Sequence, residues 1–300
     1  MFPPAPACRT CGSLNTTRLG RLPDVAAFAG AQLCTTLNGG DLRACRAYGF
    51  VFRAPILTDA EYLALYARGG VAVWEQNGDR EDFRLVRGEV ADVACDVLDV
   101  GCYTGHLLAT LPTACRLHGV EPNPDAAALA ASRGVEMVEK HWQEIEAADG
   151  AFDIIIACDV IEHVANPLAF LTTLSSRLRS GGRLIITTGN AEAWPWRLAR
   201  SRFWYCYFPE HISFIGPRWL TRMSPSAGLN VTRLVPFSHS PLPGLASRAK
   251  ALAATCLHLF AAAVSPGRSL GAGPGGQAAP AHLLGGGIMK DHIFCVLRKG

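Results

Sequence analysis

From residue 92 onward, short apolar runs alternate with stretches of helical period, the pattern of a parallel α/β sheet. Apolar runs at 96–100, 117–121, 135–138 and 183–188 predict strands, and 152–157, unusually pure in isoleucine, predicts another. Between them, 107–111, the alanine-rich 125–132 and 168–178 predict helices, the last closed by Gly181 and Gly182. A further helix starts at Pro217, a residue suited to the first helical position, and Pro225 cuts it short. Residues 230–237 and 292–297 alternate like strands.

Upstream the pattern changes. Residues 1–55 are rich in turns and cysteine and show no helical period. Thr58 and Glu61 have the spacing of a capping box, with Leu57 available as a staple, which predicts a helix over 58–68 stopped by Gly69 and Gly70. Near the other end, 244–264 is helical by composition and 265–287 is a glycine- and proline-rich loop. The chain therefore divides into a cysteine module at 1–55, a helical linker at 56–90, and an α/β domain at 91–300 carrying an insertion at about 240–287.

Composition narrows the function classes. Hydrophobic residues make up 49% of the 300, enough for a sizeable core and too many for a disordered chain. The net charge is only +3 and the basic residues are scattered, so no nucleic-acid partner is expected. The longest apolar run, 251–264, is too short to span a bilayer, and no stable membrane insertion is expected. No signal peptide is visible, and an odd count of eleven cysteines argues against a secreted disulfide framework, so a cytoplasmic location is expected.

The informative chemistry begins where the first strand ends. Asp99, Gly101, Cys102, Tyr103, Gly105 and His106 form a tight strand-to-helix turn, and Glu121 stands 20 residues beyond Gly101 at the end of the next strand. Glycine permits backbone to approach a ligand closely, and the following helix would offer free N–H groups. A carboxylate at that distance can accept both hydroxyls of an adenosine ribose. A dinucleotide fingerprint wants glycine at the third and sixth positions of the turn, where this chain has Tyr103 and His106.

The turn resembles the first motif, D-x-G-x-G-x-G, of class I S-adenosylmethionine-dependent methyltransferases, with Tyr103 in place of the middle glycine. The run from Phe152 through Cys158, Asp159, Glu162 and His163 to Pro167 resembles the fourth-strand motif of that family, with its E-H-V-x-x-P ending. Gly181 to Thr188 resembles the strand that follows. The resemblance implies a Rossmann-like, seven-stranded, mostly parallel sheet with helices on both faces, beside the small N-terminal cysteine module. It further implies a cofactor site of Asp99, Gly101, Cys102, Tyr103, Gly105 and Glu121. Cys158, Asp159 and His163 join it from the fourth strand, Asp159 toward the methionine ammonium, and Trp142 toward adenine. Trp142 reads equally as a packed surface aromatic, and His163 as a residue that closes the pocket.

Methyl transfer from a sulfonium needs alignment first and a base only where the acceptor must lose a proton early. Glu210 and His211 lie in a segment resembling the P-E-H-x-x-x-F stretch of small-molecule methyltransferases, including deoxysugar-modifying and ubiquinone-pathway relatives. That makes His211, tuned by Glu210, the expected catalytic pair. The competing reading is a histidine that only fixes its loop. The aromatic run 194–208 reads as a substrate wall or as packing. A small-molecule acceptor is expected, of sugar, quinone-like or polyketide-like character. The alternative is a non-catalytic cofactor binder that recruits a partner through its N-terminal module. A nicotinamide oxidoreductase is the third reading.

Cys8 and Cys11 read as one knuckle of a zinc ribbon, and Cys45 begins a second whose last ligand is replaced by Tyr48. A phenol that ionises near pH ~10 is a poor zinc ligand at neutral pH. The two readings are zinc on Cys8, Cys11, Cys45 and a fourth donor (Cys34 or a histidine), and a metal-free remnant with a structural or docking role.

Overall fold

The computed structural model describes residues 6–66, 68, 80–90, 94–145, 151–239, 252, 253, 256, 260 and 290–300. The N-terminal segment, which shows no helical period, is built of strands: β1 (Thr16–Arg21), β2 (Val25–Phe28), β3 (Ala31–Leu37), β4 (Asp41–Cys45) and β5 (Val51–Ala54). Helix α1 (Asp59–Tyr66) follows. Its capping box closes as the sequence requires: Thr58 N–H donates to Glu61 Oε2 at 2.7 Å, and Glu61 N–H donates to Thr58 Oγ1 at 3.3 Å. Helix α2 (Glu81–Arg87) leads into the α/β part.

Strands β6 (Asp96–Val100), β7 (Arg116–Val120), β8 (Glu136–Glu139), β9 (Phe152–Cys158) and β10 (Leu178–Gly189) are parallel. Helix α3 (Pro124–Ser132) connects β7 to β8, and α4 (Pro167–Arg177) connects β9 to β10. Both start with asparagine caps followed by proline: Asn123 accepts from Asp125 and Ala126, and Asn166 accepts from Ala169. Past β10 come α5 (Trp194–Ala199), β11 (Ser213–Phe214), α6 (Pro217–Met223), β12 (Leu229–Phe237) and β13 (His292–Lys299).

Among the described residues the main sheet has seven strands, in the order β12-β13-β10-β9-β6-β7-β8, with β13 antiparallel to both neighbours. Successive side chains of β9 go to opposite faces: Ile155 and Ala157 enter one apolar cluster, Ile154 and Ile156 the other. That is why, past Asp153 at its start, its sequence is apolar rather than alternating. The strand order reverses between β6 and β9, and open α/β sheets bind ligands in the crevice at such a switch point.

Three expectations are revised. The helix after β6 is a single 3-10 turn, Leu108–Thr110, because Leu111 precedes Pro112 and is held extended with ψ of 162°. The glycine pair at 181–182 lies within β10, where the pairing with β9 shifts register between Leu178 and Arg183, instead of closing a helix in a loop. The cysteine segment is not packed on itself alone. Its sheet runs β1-β4-β5-β11, taking a strand from beyond β10, and Phe50 and Phe52 pack in the same core as Trp219. The expected insertion at about 240–287 lies outside the described residues, apart from a few positions.

Candidate active site

A cavity of about 1000 Å³ opens at the switch point. The turn after β6 forms one wall, and it is pinned to β7 because the N–H groups of Gly101 and Cys102 both donate to Val120 O, at 2.8 and 3.1 Å. Those amides are therefore consumed, and no long helix follows to present others, which corrects the expected helix N-terminus. Gly101 sits at φ +77°, and a Cβ there would stand 2.7 Å from Val160 Cγ2. Gly105, at φ +73°, does not line the cavity; a Cβ there would stand 3.1 Å from Ala130 Cα of α3, so its absence lets the turn pack against that helix.

Tyr103 adopts φ +48° and Asp159 φ +52°, a left-handed conformation that is uncommon for residues with a side chain. Both stand on the cavity wall, where local strain tends to collect in binding sites. Tyr103 thus keeps the backbone geometry of a glycine while carrying a phenol.

Glu121 is 7% exposed and faces the same space. Its Oε2 accepts from Tyr103 N–H at 3.0 Å and its Oε1 from Asn123 N–H at 2.8 Å. Burial raises its pKa, against the lowering effect of the two amides. Each oxygen keeps a second lone pair for a ligand. Asp99, also on the wall, is pushed well above the ordinary carboxylate range by burial, then by the charges of Glu121 and Asp82.

Cys102 and Cys158 line the cavity with thiols whose pKa burial raises. Trp142 lines it too, with its ring set edge-on to Phe170 at 5.1 Å.

The opposite end is aromatic. Tyr66 meets His163, and Tyr205 and Phe208 meet His211, while Tyr62 and Trp204 also line the cavity. His211 Nδ1 lies 2.9 Å from Tyr205 O. A carbonyl oxygen can only accept, so Nδ1 carries the proton and Nε2 keeps its lone pair. Burial, then the neighbouring His163, lowers the His211 pKa well below the ordinary imidazole value, so the ring is neutral at pH 7. His163 Nδ1 lies 3.1 Å from Glu210 O and 2.9 Å from Tyr66 Oη. Glu210 meets the site through that carbonyl; its carboxyl is buried, raised by burial, and does not line the cavity.

Comparison with known proteins bears on this arrangement. A family model described as a methyltransferase domain matches residues 67–234. The chain belongs to that family. It is a class I S-adenosylmethionine-dependent methyltransferase. The ubiquinone biosynthesis O-methyltransferase of Methylobacterium sp. (strain 4-46) is 27% identical over 225 residues, which cover 64% of this chain and 90% of that one. The enzyme of the same name from Aeromonas salmonicida (strain A449) is 26% identical over 160 residues, 49% of this chain and 67% of that one. A solved Bacillus halodurans C-125 protein described as a methyltransferase superposes with a TM-score of 0.50 at 16% identity, covering 72% of this chain and 96% of that one, and so shares the fold. Among the described residues, no helix of this methyltransferase is long and apolar enough to cross a membrane.

Several residues of the site carry no signal that sequence reasoning weighed. Arg53, in the cysteine segment, is 4% exposed and donates to the carbonyls of His211 (3.1 Å), Gly39 (2.7 Å), Cys206 (2.9 Å) and Phe208 (3.0 Å). Arg9, next to Cys8, donates to Ala165 O, Arg53 O and Ile212 O. Two guanidinium groups from the N-terminal segment thus hold both ends of the loop that presents His211.

Glu162 was visible only as a letter in a family motif. It is fully buried, accepting from Tyr205 Oη and, at 2.8 Å, from Thr188 Oγ1. Burial, then the charge of Asp159, raises its pKa to about 7. Between its ordinary pKa near 4.5 and about 7, the native chain holds a proton that the unfolded chain has released, so stability falls as pH rises through that window. The shift corresponds to about 3 kcal/mol. Glu162→Gln cannot ionise, and urea unfolding is expected to show its stability relative to the parent improving from pH 5 to pH 8 by that order. Parallel pH dependences in the two proteins would show that Glu162 does not titrate there.

The three cysteines of the broken ribbon do meet. Cys8, Cys11 and Cys45 place their sulfurs within 4.8 Å of one another, with Cys11 Sγ 3.6 Å from Cys45 Sγ. A tetrahedral zinc with bonds of about 2.3 Å would set such sulfurs roughly 3.8 Å apart. The two knuckles turn alike: Gly12 N–H donates to Cys8 O at 2.8 Å and Gly49 N–H donates to Cys45 O at 2.9 Å. Tyr48, at the sequence position of the fourth ligand, is exposed, and Cys34 is exposed on β3 and not a member of the cluster.

Proposed function

We propose that this methyltransferase acts on a hydroxyl oxygen of a small, flat, ring-bearing metabolite, with the adenosyl end of its cofactor at Glu121 and the acceptor before His211. The observation that carries this reading is the polarity of one cavity: a carboxylate braced by two amides at one end, and an aromatic chamber holding a neutral histidine at the other. The relatives named for O-methylation in ubiquinone biosynthesis support oxygen as the acceptor atom and quinone-like over sugar-like substrates.

S-Adenosylmethionine supplies a methyl group already activated on a sulfonium. The chain has to align the acceptor oxygen with it, exclude water and take up one proton. Glu121 would accept the ribose hydroxyls, and Trp142, backed by Phe170, would cover the adenine. Asp99, Cys158 and Asp159 would lie toward the methionine end, with Gly101, Cys102 and Tyr103 shaping the turn around it. The rings of Tyr62, Tyr66, Trp204 and Phe208 offer flat apolar faces to an aromatic acceptor. His211 Nε2 would take the hydroxyl proton, and His163 would close the chamber. The thiols of Cys8, Cys11 and Cys45 would hold zinc as a structural brace that keeps Arg9 in place.

His211→Ala is expected to lower kcat by about 10²- to 10⁴-fold, the usual contribution of a general base. Its affinity for S-adenosylhomocysteine should stay that of the parent. An unchanged kcat would remove the histidine from the chemistry. Labelled S-adenosylmethionine offered with quinols, hydroxylated polyketides and sugars tests the acceptor class. Label on sugars but on no phenol overturns that class. Cofactor binding without methylation of any hydroxylated acceptor overturns the assignment to oxygen.

A further inference from the structure

Three elements converge at one side of the cavity: the ends of β9 and β12 and the start of β13. They bring Asp159, His239 and His292 together, one ligand atom from each lying within 4.8 Å of the others. His239 Nε2 stands 3.7 Å from Asp159 Oδ2, and the two imidazole centroids are 4.3 Å apart. Each ring is backed by a buried carboxylate on its other nitrogen. His239 Nδ1 is 3.4 Å from Asp82 Oδ1, and His292 Nδ1 is 3.1 Å from Asp291 Oδ1.

A carboxylate on the far nitrogen is how metal-ligating histidines are oriented and made more basic. Here it leaves Nε2 of both rings as the inward atom. Asp159 Oδ2 is bonded to Arg80, which also holds Asp82. Asp159 Oδ1 is buried and has no hydrogen-bond partner among the described residues. Asp82 and Asp159 thus share one guanidinium while Asp291 stands behind His292, a carboxylate-rich setting that a divalent ion would suit. The neighbouring group of Glu162, His163 and His211 also has metal-ligand spacing, but its members already bond to Tyr205, Thr188, Tyr66 and backbone carbonyls.

We propose that Asp159, His239 and His292 form a binding site for a divalent transition-metal ion whose remaining positions open to the cavity and take an oxygen of the acceptor. Two imidazoles and one carboxylate suit ions such as zinc, cobalt or ferrous iron better than magnesium or calcium, and leave coordination positions free. The site's existence stands on this geometry alone; its role rests on the acceptor chamber proposed above.

The test is calorimetric titration of the full chain, stripped by chelator, with Co²⁺ and without any acceptor. The parent is expected to bind one Co²⁺ more per chain than the His239→Ala, His292→Ala double variant, a difference that cancels uptake by the Cys8, Cys11 and Cys45 thiols. Asp291→Asn keeps all three ligands and is expected to weaken that ion by about 10- to 100-fold. Loss of Co²⁺ with S-adenosylhomocysteine still bound as by the parent supports the site. Equal uptake by parent and double variant overturns it, and if S-adenosylhomocysteine affinity alone falls, these residues serve the cofactor's ammonium instead. Should the double variant fail to fold, the parent decides. Visible bands of nitrogen- and oxygen-coordinated Co²⁺ support the site, and thiolate charge-transfer bands alone overturn it. Co²⁺ bound at this site in a chain that methylates no hydroxyl would leave the site standing while ending the O-methylation reading.

Discussion

Arg53→Met is expected to cost the fold about 3 kcal/mol or more and to lower kcat severely while the cofactor still binds. The reason is the set of carbonyls that Arg53 serves: Gly39 between β3 and β4, and Cys206, Phe208 and His211 in the loop beyond β10. Removing the guanidinium takes this donor from the buried carbonyls of His211, Gly39 and Cys206, at roughly 1–3 kcal/mol each, while Phe208 O keeps the His211 N–H at 3.1 Å. Part of that is offset because no carboxylate bonds Arg53 and burial already lowers its pKa, so its charge is itself costly to bury. Arg53 does not touch the cavity and is a positioning residue. The readout of that role is a split: kcat falls with the freed His211 loop, and S-adenosylhomocysteine affinity at Glu121 does not. Arg53→Lys should recover little, because one ammonium cannot reproduce the planar fork. Urea midpoints and turnover for both variants check this; a Met variant with the parent's stability and kcat would show that the N-terminal segment does not hold the loop.

The central sheet was legible because its strands are buried on both faces and say so. The run 154–157 has no polar alternation since apolar clusters cover each side of β9. The Asn-Pro pairs before α3 and α4 supply the caps that start those helices. The turn after β6 was misread in one respect. Apolar spacing at 107–111 fits a helix, but Pro112 forbids continuing it, and local period lost to a single backbone constraint. The N-terminal strands were hidden for the opposite reason. They are short and only partly buried, so alternation is weak, and turn residues dominate the composition.

The site was legible only where its residues are close in sequence. Tyr103, Glu121, Asp159 and His163 line the cavity just past strand ends, where the crevice of such a sheet must lie. Arg53, His239 and His292 reach the same region from far along the chain, and nothing in a single sequence ties a buried arginine in a cysteine segment to a loop 150 residues on. Glu210 shows the converse. Adjacency to His211 suggested a tuned pair, yet Glu210 sits in a turn with its carboxyl off the cavity wall; its carbonyl meets His163 Nδ1 at 3.1 Å, and its buried carboxyl acts on His163 through charge.

Glu121→Ala is expected to weaken S-adenosylhomocysteine by about 100-fold. Two ribose hydroxyls donating to one carboxylate make charge-assisted hydrogen bonds, each worth roughly 1.5–3 kcal/mol. Losing one already costs about tenfold, and losing both costs a hundredfold or more. The variant also releases Tyr103 N–H and Asn123 N–H, the amides that brace the carboxylate and hold the turn after β6 in its left-handed path. Glu121→Gln separates the two losses. An amide oxygen can still accept from one of those N–H groups, so the turn keeps part of its brace, while the charge that strengthens the ribose bonds is gone. The Gln variant should therefore fall between parent and Ala in affinity and lie close to the parent in thermal midpoint. Calorimetry with S-adenosylhomocysteine on the three proteins reads this directly. An Ala variant that binds as the parent does would place the adenosyl group elsewhere in the cavity and detach the carboxylate from cofactor recognition.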